Sequence, residues 1–243
     1  MPKLVTHPLA AAETTTLMVD HIGVVVHDLA AEVMAWRNLG FAVSDPVALM
    51  AVDAAGRSAP LGQASAHVVF ENCYVELSSP DPGSGNHLES YLAHGEGVRI
   101  LVLATGNAVS ARDALRRSFA DMPEARLATR DVVIDGIAQT ARFLWFPLPV
   151  DIVPITLSAV VQHLTPDLVF HPSLIAHPNG ARRISGVRAT GRISDLHSFD
   201  LPPPQSAAAR HPPSLDLSCG PGTLRIDGLG VADCAGAARH VAL

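Results

Sequence analysis

From Met18 onward the chain alternates in polarity. Ile22, Val24 and Val26 share one parity, and His21, Gly23 and Val25 share the other. That is the period-two pattern of a strand with two distinct faces. The period then changes: Leu29, Val33, Trp36 and Leu39 recur at helical spacing, with Asp28 before them as an N-cap and Gly40 after them as a left-handed stop. Strands follow over Phe41 to Val52, interrupted at Asp45-Pro46, and then over Ala66 to Glu71 and Cys73 to Ser78. Between them Asp53 to Gly62, rich in Ala, Gly, Ser and Pro, reads as a loop or hairpin end. The order is β-α-β-β-β.

A similar order returns at a spacing of roughly eighty residues. Val98 to Thr105 is an almost wholly aliphatic strand with Arg99 near its start, and Asn107 caps a helix from Ala108 to Phe119. Strands follow at Arg126 to Ile134, Ala138 to Phe146 and Pro154 to His163, with Asp135-Gly136 as a hairpin turn. The pattern predicts a loosely ordered arm over 1–17, a first module over 18–79, a linker with a short helix over 80–97 and a second module over 98–163. A Pro-rich connector over 164–183 and a partial third β module over 184–243 complete the chain, with a Pro/Ala-rich loop at Leu201 to Pro213.

Composition narrows the function classes. Hydrophobic residues make up 48% and charged residues 16% of the chain, which is a globular balance. A net charge of -6 gives no basic stripe and argues against nucleic acid as a partner. Three cysteines, Cys73, Cys219 and Cys234, are too scattered for a disulfide framework or a thiolate zinc site. With no signal-peptide pattern in Met1 to Thr16 and no apolar run of membrane-spanning length, the expected location is the cytoplasm. Nucleophile elbow, phosphate loop and zinc-helix motifs are not found, and Gly228-Leu229-Gly230 lacks the context of a dinucleotide site.

Two stretches, DHIGVVVHDL…W…LGF and FENCYVELSSP, resemble the first module of the vicinal-oxygen-chelate superfamily, which includes glyoxalase I, extradiol dioxygenases and bleomycin-resistance proteins. Within it the chain is most similar to bacterial glyoxalase-like domain proteins, again around VQHLTPDLVF and HPNGARRISGV, so that the resemblance spans Val19 to Val187. It implies an α+β fold in which paired βαβββ modules form cupped mixed sheets around a cavity with a divalent-metal site.

The resemblance makes His21 and Glu76 metal ligands, with Glu76 also catalytic. Otherwise His21 is a strand-end histidine satisfied by hydrogen bonds, and Glu76 an edge-strand carboxylate. His163 shares parity with Leu157, Ala159 and Val161 and would complete a 2-His-1-carboxylate set for zinc, iron, nickel or manganese; the plain alternative is a connector histidine hydrogen-bonded to backbone. Arg99, standing where the second module would repeat His21, cannot bind a metal; it suits a substrate carboxylate or phosphate, or else is a strand-end arginine in solvent. His67 and Trp145 are candidate substrate contacts; a solvent-facing strand and core packing are the plain alternatives. His171 and His177 read as structural turn residues. The expectation is a metal-dependent isomerase, lyase or dioxygenase acting on a small molecule with two adjacent oxygens, as a monomer or homodimer. The alternative is a metal-free small-molecule binder of the bleomycin-resistance type.

Overall fold

The computed structural model describes residues 17–150, 152–153 and 155–188, and four strand segments between 214 and 242; side chains are described to residue 184. Residues 1–16 of the predicted arm and the loop at Leu201 to Pro213 lie outside the described residues, while Leu17, the arm's last residue, is buried in the core. The first module runs β1 (Met18–Val25), α1 (Leu29–Asn38), β2 (Val47–Val52), β3 (Ser58–Val69) and β4 (Tyr74–Pro80). After a short α2 (Leu88–Leu92), the second runs β5 (Gly97–Ala104), α3 (Ala108–Leu115), β6 (Arg126–Ile134), β7 (Ile137–Pro147) and β8 (Leu157–His163).

Eight strands close into one barrel in the order β1-β4-β3-β2-β6-β7-β8-β5. The modules meet at both edges, through antiparallel β1–β5 and β2–β6 pairs. Two apolar layers follow from the alternation. Ile22, Val24, Val26, Val75 and Leu77 face outward and pack with Val33 and Trp36 of α1. Tyr74, Ile100, Val102, Phe143, Ala159 and Val161 belong to a separate inner cluster.

Local signals act as the residue types dictate. Asp28 accepts from the Ala31 N–H. Gly40 takes φ +82°, and the Gly40 and Phe41 N–H groups donate back to Arg37 and Trp36, a full Schellman end to α1. Asn107 caps α3, and the Asp135-Gly136 turn has both φ values positive.

Two elements differ in extent from the expectation. Of the two readings of Asp53 to Gly62, loop or hairpin end, it is a hairpin end, and a shorter one: Asp53 accepts from the Ala55 and Arg57 N–H groups, and β3 begins at Ser58. Pro60 lies there beside a register irregularity in β2, the kind of place in a sheet that tolerates a residue with no N–H. Gly23 lets β5 approach closely beside His21, since a Cβ there would lie 2.5 Å from the Ile100 side chain. α3 ends at Leu115 rather than Phe119.

The connector after β8 contains two single 3-10 turns, Pro166–Leu168 and Pro172–Leu174. His177 ties it down, accepting from the Ala42 N–H and bonding the Val69 carbonyl, while Asn179 bonds the end of α1. β9 (Ala181–Arg188), β10 (Ser214–Cys219), β11 (Gly222–Asp227), β12 (Gly230–Ala232) and β13 (Val241–Ala242) form a second, antiparallel sheet. Among the described residues no helix is long and apolar enough to cross a membrane.

Candidate functional site

β1, β3 and β4 deliver a run of polar side chains to the barrel interior. The parallel β1–β4 register sets Gly23 beside Glu76, and the antiparallel β3–β4 register sets His67 beside Glu76 and Ser65 beside Ser78. Glu76 Oε1 accepts from the hydroxyls of Ser65 (2.7 Å) and Ser78 (2.5 Å). Its other oxygen, Oε2, lies 3.2 Å from His21 Nε2. His21 Nδ1 is 2.7 Å from Asp20 Oδ2, and His163 Nε2 is 2.6 Å from Asp20 Oδ1. Glu76, His21, Asp20 and His163 therefore form one continuous chain of buried ionisable groups.

Two adjacent residues of a regular strand point to opposite faces, yet Asp20 and His21 touch. The β1–β5 register explains it: Val19 pairs with Leu103 and His21 with Val102, so Asp20 is the extra residue of a bulge. The bulge turns Asp20 toward the interior, where it is 3% exposed and needs partners.

Charge is shared along the chain. Burial alone would raise the Asp20 carboxyl, but the hydrogen bonds from His163 and His21 outweigh it and hold it at about 2. Glu76 likewise falls below the usual carboxylate range: burial opposes this, and the His21 contact and charge overcome it. Burial disfavours an imidazolium at His21, but its two carboxylate partners raise it above its ordinary value. His67 goes the other way, pushed well down by burial and by the charge of Arg130.

The chain of groups opens onto a cavity of about 100 Å³. Its polar wall includes His21, Ser65, His67 and Glu76; Ile100, Phe143, Trp145 and Ala159 are on its apolar wall.

A sequence profile described as a glyoxalase-like domain matches residues 19–198. The chain belongs to that family. No curated protein matches it in sequence. Among solved structures, a hypothetical protein from Staphylococcus aureus is similar at 12% identity and TM-score 0.57, covering 88% of this chain and 90% of that one, and shows the shared fold. Methylmalonyl-CoA epimerase from Mycobacterium tuberculosis is 18% identical with a TM-score of 0.40, over 64% of this chain and 93% of that one. A point variant of the Streptomyces coelicolor epimerase, in complex with 2-nitronate-propionyl-CoA, is 22% identical with a TM-score of 0.41, over 62% of this chain and 99% of that one.

In this glyoxalase-like protein the strand registers decide which predicted residues meet. The pairs His21–Val102, Ile22–Leu101 and Gly23–Ile100 relate β1 to β5 by a two-fold axis through Ile22 and Leu101. The β1–β4 and β5–β8 registers extend the relation, so that His21 corresponds to Ile100 and Glu76 to Ala159. Arg99 corresponds to Asp20, and it too is the extra residue of a bulge, between the Gly23–Ile100 and Val24–Val98 pairs. Its guanidinium does not line the cavity; it donates to the carbonyls of Gly95, Val98 and His94.

His163 corresponds to Pro80 and stands four residues beyond Ala159, which is about 13 Å of strand. It consequently turns to Asp20 instead of converging with His21 and Glu76. The donor set for a divalent ion is therefore His21 and Glu76, facing Ile100 and Ala159, whose side chains offer no donor atoms. Among the described residues no group of three or more His, Cys, Asp or Glu is arranged to hold a metal ion. These residues do not fit a three- or four-ligand centre.

His67, Trp145 and Glu76 do line the cavity with His21. Sequence reading passed over Asp20, Ser65, Ser78 and Arg130. Ser65 and Ser78 were within reach of period-two reasoning, since they share parity with His67 and Glu76. Arg130 shares its strand face with Ala128 and Ile134, an apolar setting in which an arginine is conspicuous. Asp20 had no such signal, because strict alternation assigns it to the outer face.

Proposed function

We propose that this protein is an enzyme that shifts a proton on a small carbonyl compound with two adjacent oxygens, bound inside the barrel, with Glu76 as the base. The observation that carries this reading is the Glu76 carboxylate itself: one oxygen fixed by two serine hydroxyls, the other 3.2 Å from His21 Nε2, at the edge of an apolar cavity. The chemistry needs a carboxylate held in place in a site that excludes bulk water, and a donor for the oxygen on which charge develops.

His21 supplies that donor. With Nδ1–H directed at Asp20, its Nε2–H can be donated to the substrate's carbonyl oxygen in place of Glu76. The exchange also activates the base. Glu76 then loses the partner that keeps its proton affinity low, while its burial continues to raise that affinity. Abstraction of the proton α to the carbonyl leaves an enolate whose oxygen faces the His21 imidazolium, and Asp20 stabilises that cation. Return of the proton to the same or the neighbouring carbon gives epimerisation or isomerisation. Ring-cleaving dioxygenation gains no support, because its three-ligand set is not assembled.

The test is proton exchange in deuterated water. Small 2-hydroxycarbonyl and 2-oxo compounds are incubated with the protein, and loss of the α-proton signal is followed by NMR. Exchange that falls about 10²–10⁴-fold in Glu76→Gln supports the reading. Panel members that bind without exchanging support a second reading, a binding protein, which the apolar Ile100 and Ala159 positions favour. In that case Glu76 is a hydrogen-bonding contact only.

A further inference from the structure

Among the described residues that line the cavity, Arg130 is the one strongly cationic side chain, and the polar chain described above does not use it. It projects inward from β6, 7% exposed. Its guanidinium lies over two aromatic rings, 5.2 Å from the centre of Tyr74 and 5.4 Å from that of Phe143. Among the described residues it makes no hydrogen bond and no ion pair. The carboxylates nearby are committed elsewhere: Asp45 is paired with Arg37, Asp131 accepts from Thr140, and Glu76 is held by His21, Ser65 and Ser78.

A buried guanidinium without a carboxylate is costly unless something polar reaches it. Ring faces offset part of that cost, yet they leave the in-plane N–H fork unused. The fork suits a planar two-oxygen anion, which it can bind with two parallel hydrogen bonds. Its place is also suitable. Arg130, His67 and Val47 line both the inner cavity and an adjoining cavity of about 320 Å³, so an anion at Arg130 sits where the two meet. Tyr74, the ring beneath Arg130, stacks on His21 at 4.3 Å. One aromatic ring therefore separates the cation from the proposed proton-transfer groups.

We infer that Arg130 is the specificity-determining residue of this site, binding the carboxylate of a small 2-oxo or 2-hydroxy acid whose apolar body fills the inner cavity. The inference rests on the reading of the cavity as a substrate site and adds the substrate's charge class. The carboxylate docks on Arg130, and the adjacent oxygen then points toward His21 and Glu76. His67 stays neutral beside this pair, since burial and the Arg130 charge both oppose its protonation.

The probe is 3-methyl-2-oxobutanoate, compared with its primary amide by calorimetry on the full chain, alongside proton exchange measured as above. The expected result is that the acid binds at least tenfold more tightly than the amide. Arg130→Gln should abolish that preference while keeping amide affinity, and Arg130→Lys should restore part of it. Equal binding of acid and amide by the unaltered protein overturns the inference, and this comparison does not depend on any variant folding. A preference that survives in Arg130→Gln overturns it as well. Acid preference without exchange leaves the anion site standing and removes the proposed catalysis; exchange without acid preference does the reverse. Binding of neither compound removes both.

Discussion

Asp20 and His163 are 143 positions apart in sequence and 2.6 Å apart in the barrel. β1 begins where β8 ends, because both pair with β5, in opposite senses. The contact closes a line of four titratable groups from Glu76 to His163, and it exists only because β1 carries a bulge at Asp20.

Asp20→Asn should therefore be felt at His21. The imidazole loses a carboxylate that raises its proton affinity, so its titration, followed by ring-proton NMR, should move to lower pH. His21 would then be a poorer donor, and exchange should fall roughly 10–100-fold, with little change in ligand affinity. An unmoved His21 titration would show that Asp20 serves only to hold β1 and β8 together.

Stability should depend on pH on both flanks. Asp20 and Glu76 are depressed when folded, so their contribution is present above about pH 4 and is lost as pH falls toward about 2. His21 is raised when folded, so its contribution is complete below pH 6.5 and is lost as pH rises through its higher folded value. His67 acts in the opposite sense: it is held neutral when folded, so its burial costs stability as pH falls below about 6.5, and urea midpoints should be highest near that pH. A His21→Gln variant should lose the alkaline decline attributable to this site.

Arg99 and Arg130 should separate cleanly. Arg99→Ala leaves three carbonyls without their donor and should destabilise the fold by about 1–3 kcal/mol in chemical denaturation. Affinity for cavity ligands should be unchanged at temperatures where the variant is folded. A selective loss of acid binding in Arg99→Ala would contradict the placement of its guanidinium outside the cavity.

Gly23 should tolerate no side chain. Gly23→Ala places a Cβ at 2.5 Å from Ile100 at the centre of the β1–β5 seam, and overpacking of this kind costs about 1–3 kcal/mol. Pairing it with Ile100→Gly, which removes the Ile100 Cβ as well as its outer carbons, should recover part of the loss. Thermal unfolding of the single and double variants measures the coupling.

Metal content gives an independent check on the donor set. Protein purified without chelator or affinity tag should carry well under one tightly held zinc, iron, nickel or manganese ion per chain. One ion per chain, lost in both His21→Ala and Glu76→Ala, would restore the metal-dependent reading.

The sequence by itself determined the order of strands and helices and the two faces of the regular strands. Period-two alternation separated Ile22, Val24 and Val26 from His21 and Val25, and Val75 and Leu77 from Tyr74 and Glu76, because burial on one side of a pleat leaves that mark wherever strands are regular. Capping and turn chemistry at Asp28, Gly40, Asn107 and Asp135-Gly136 is local, so it too could be read from the chain.

Only the tertiary structure decided the rest, and the reason is register. A bulge adds one residue without altering composition, so Asp20 moved inward and Arg99 took Asp20's place in the second module, leaving Ile100 as the counterpart of His21. A four-residue offset along β8 carried His163 past Glu76's mirror position to Asp20. Contacts between residues 50 to 140 positions apart are set by closure of the whole barrel, and no window of sequence contains them.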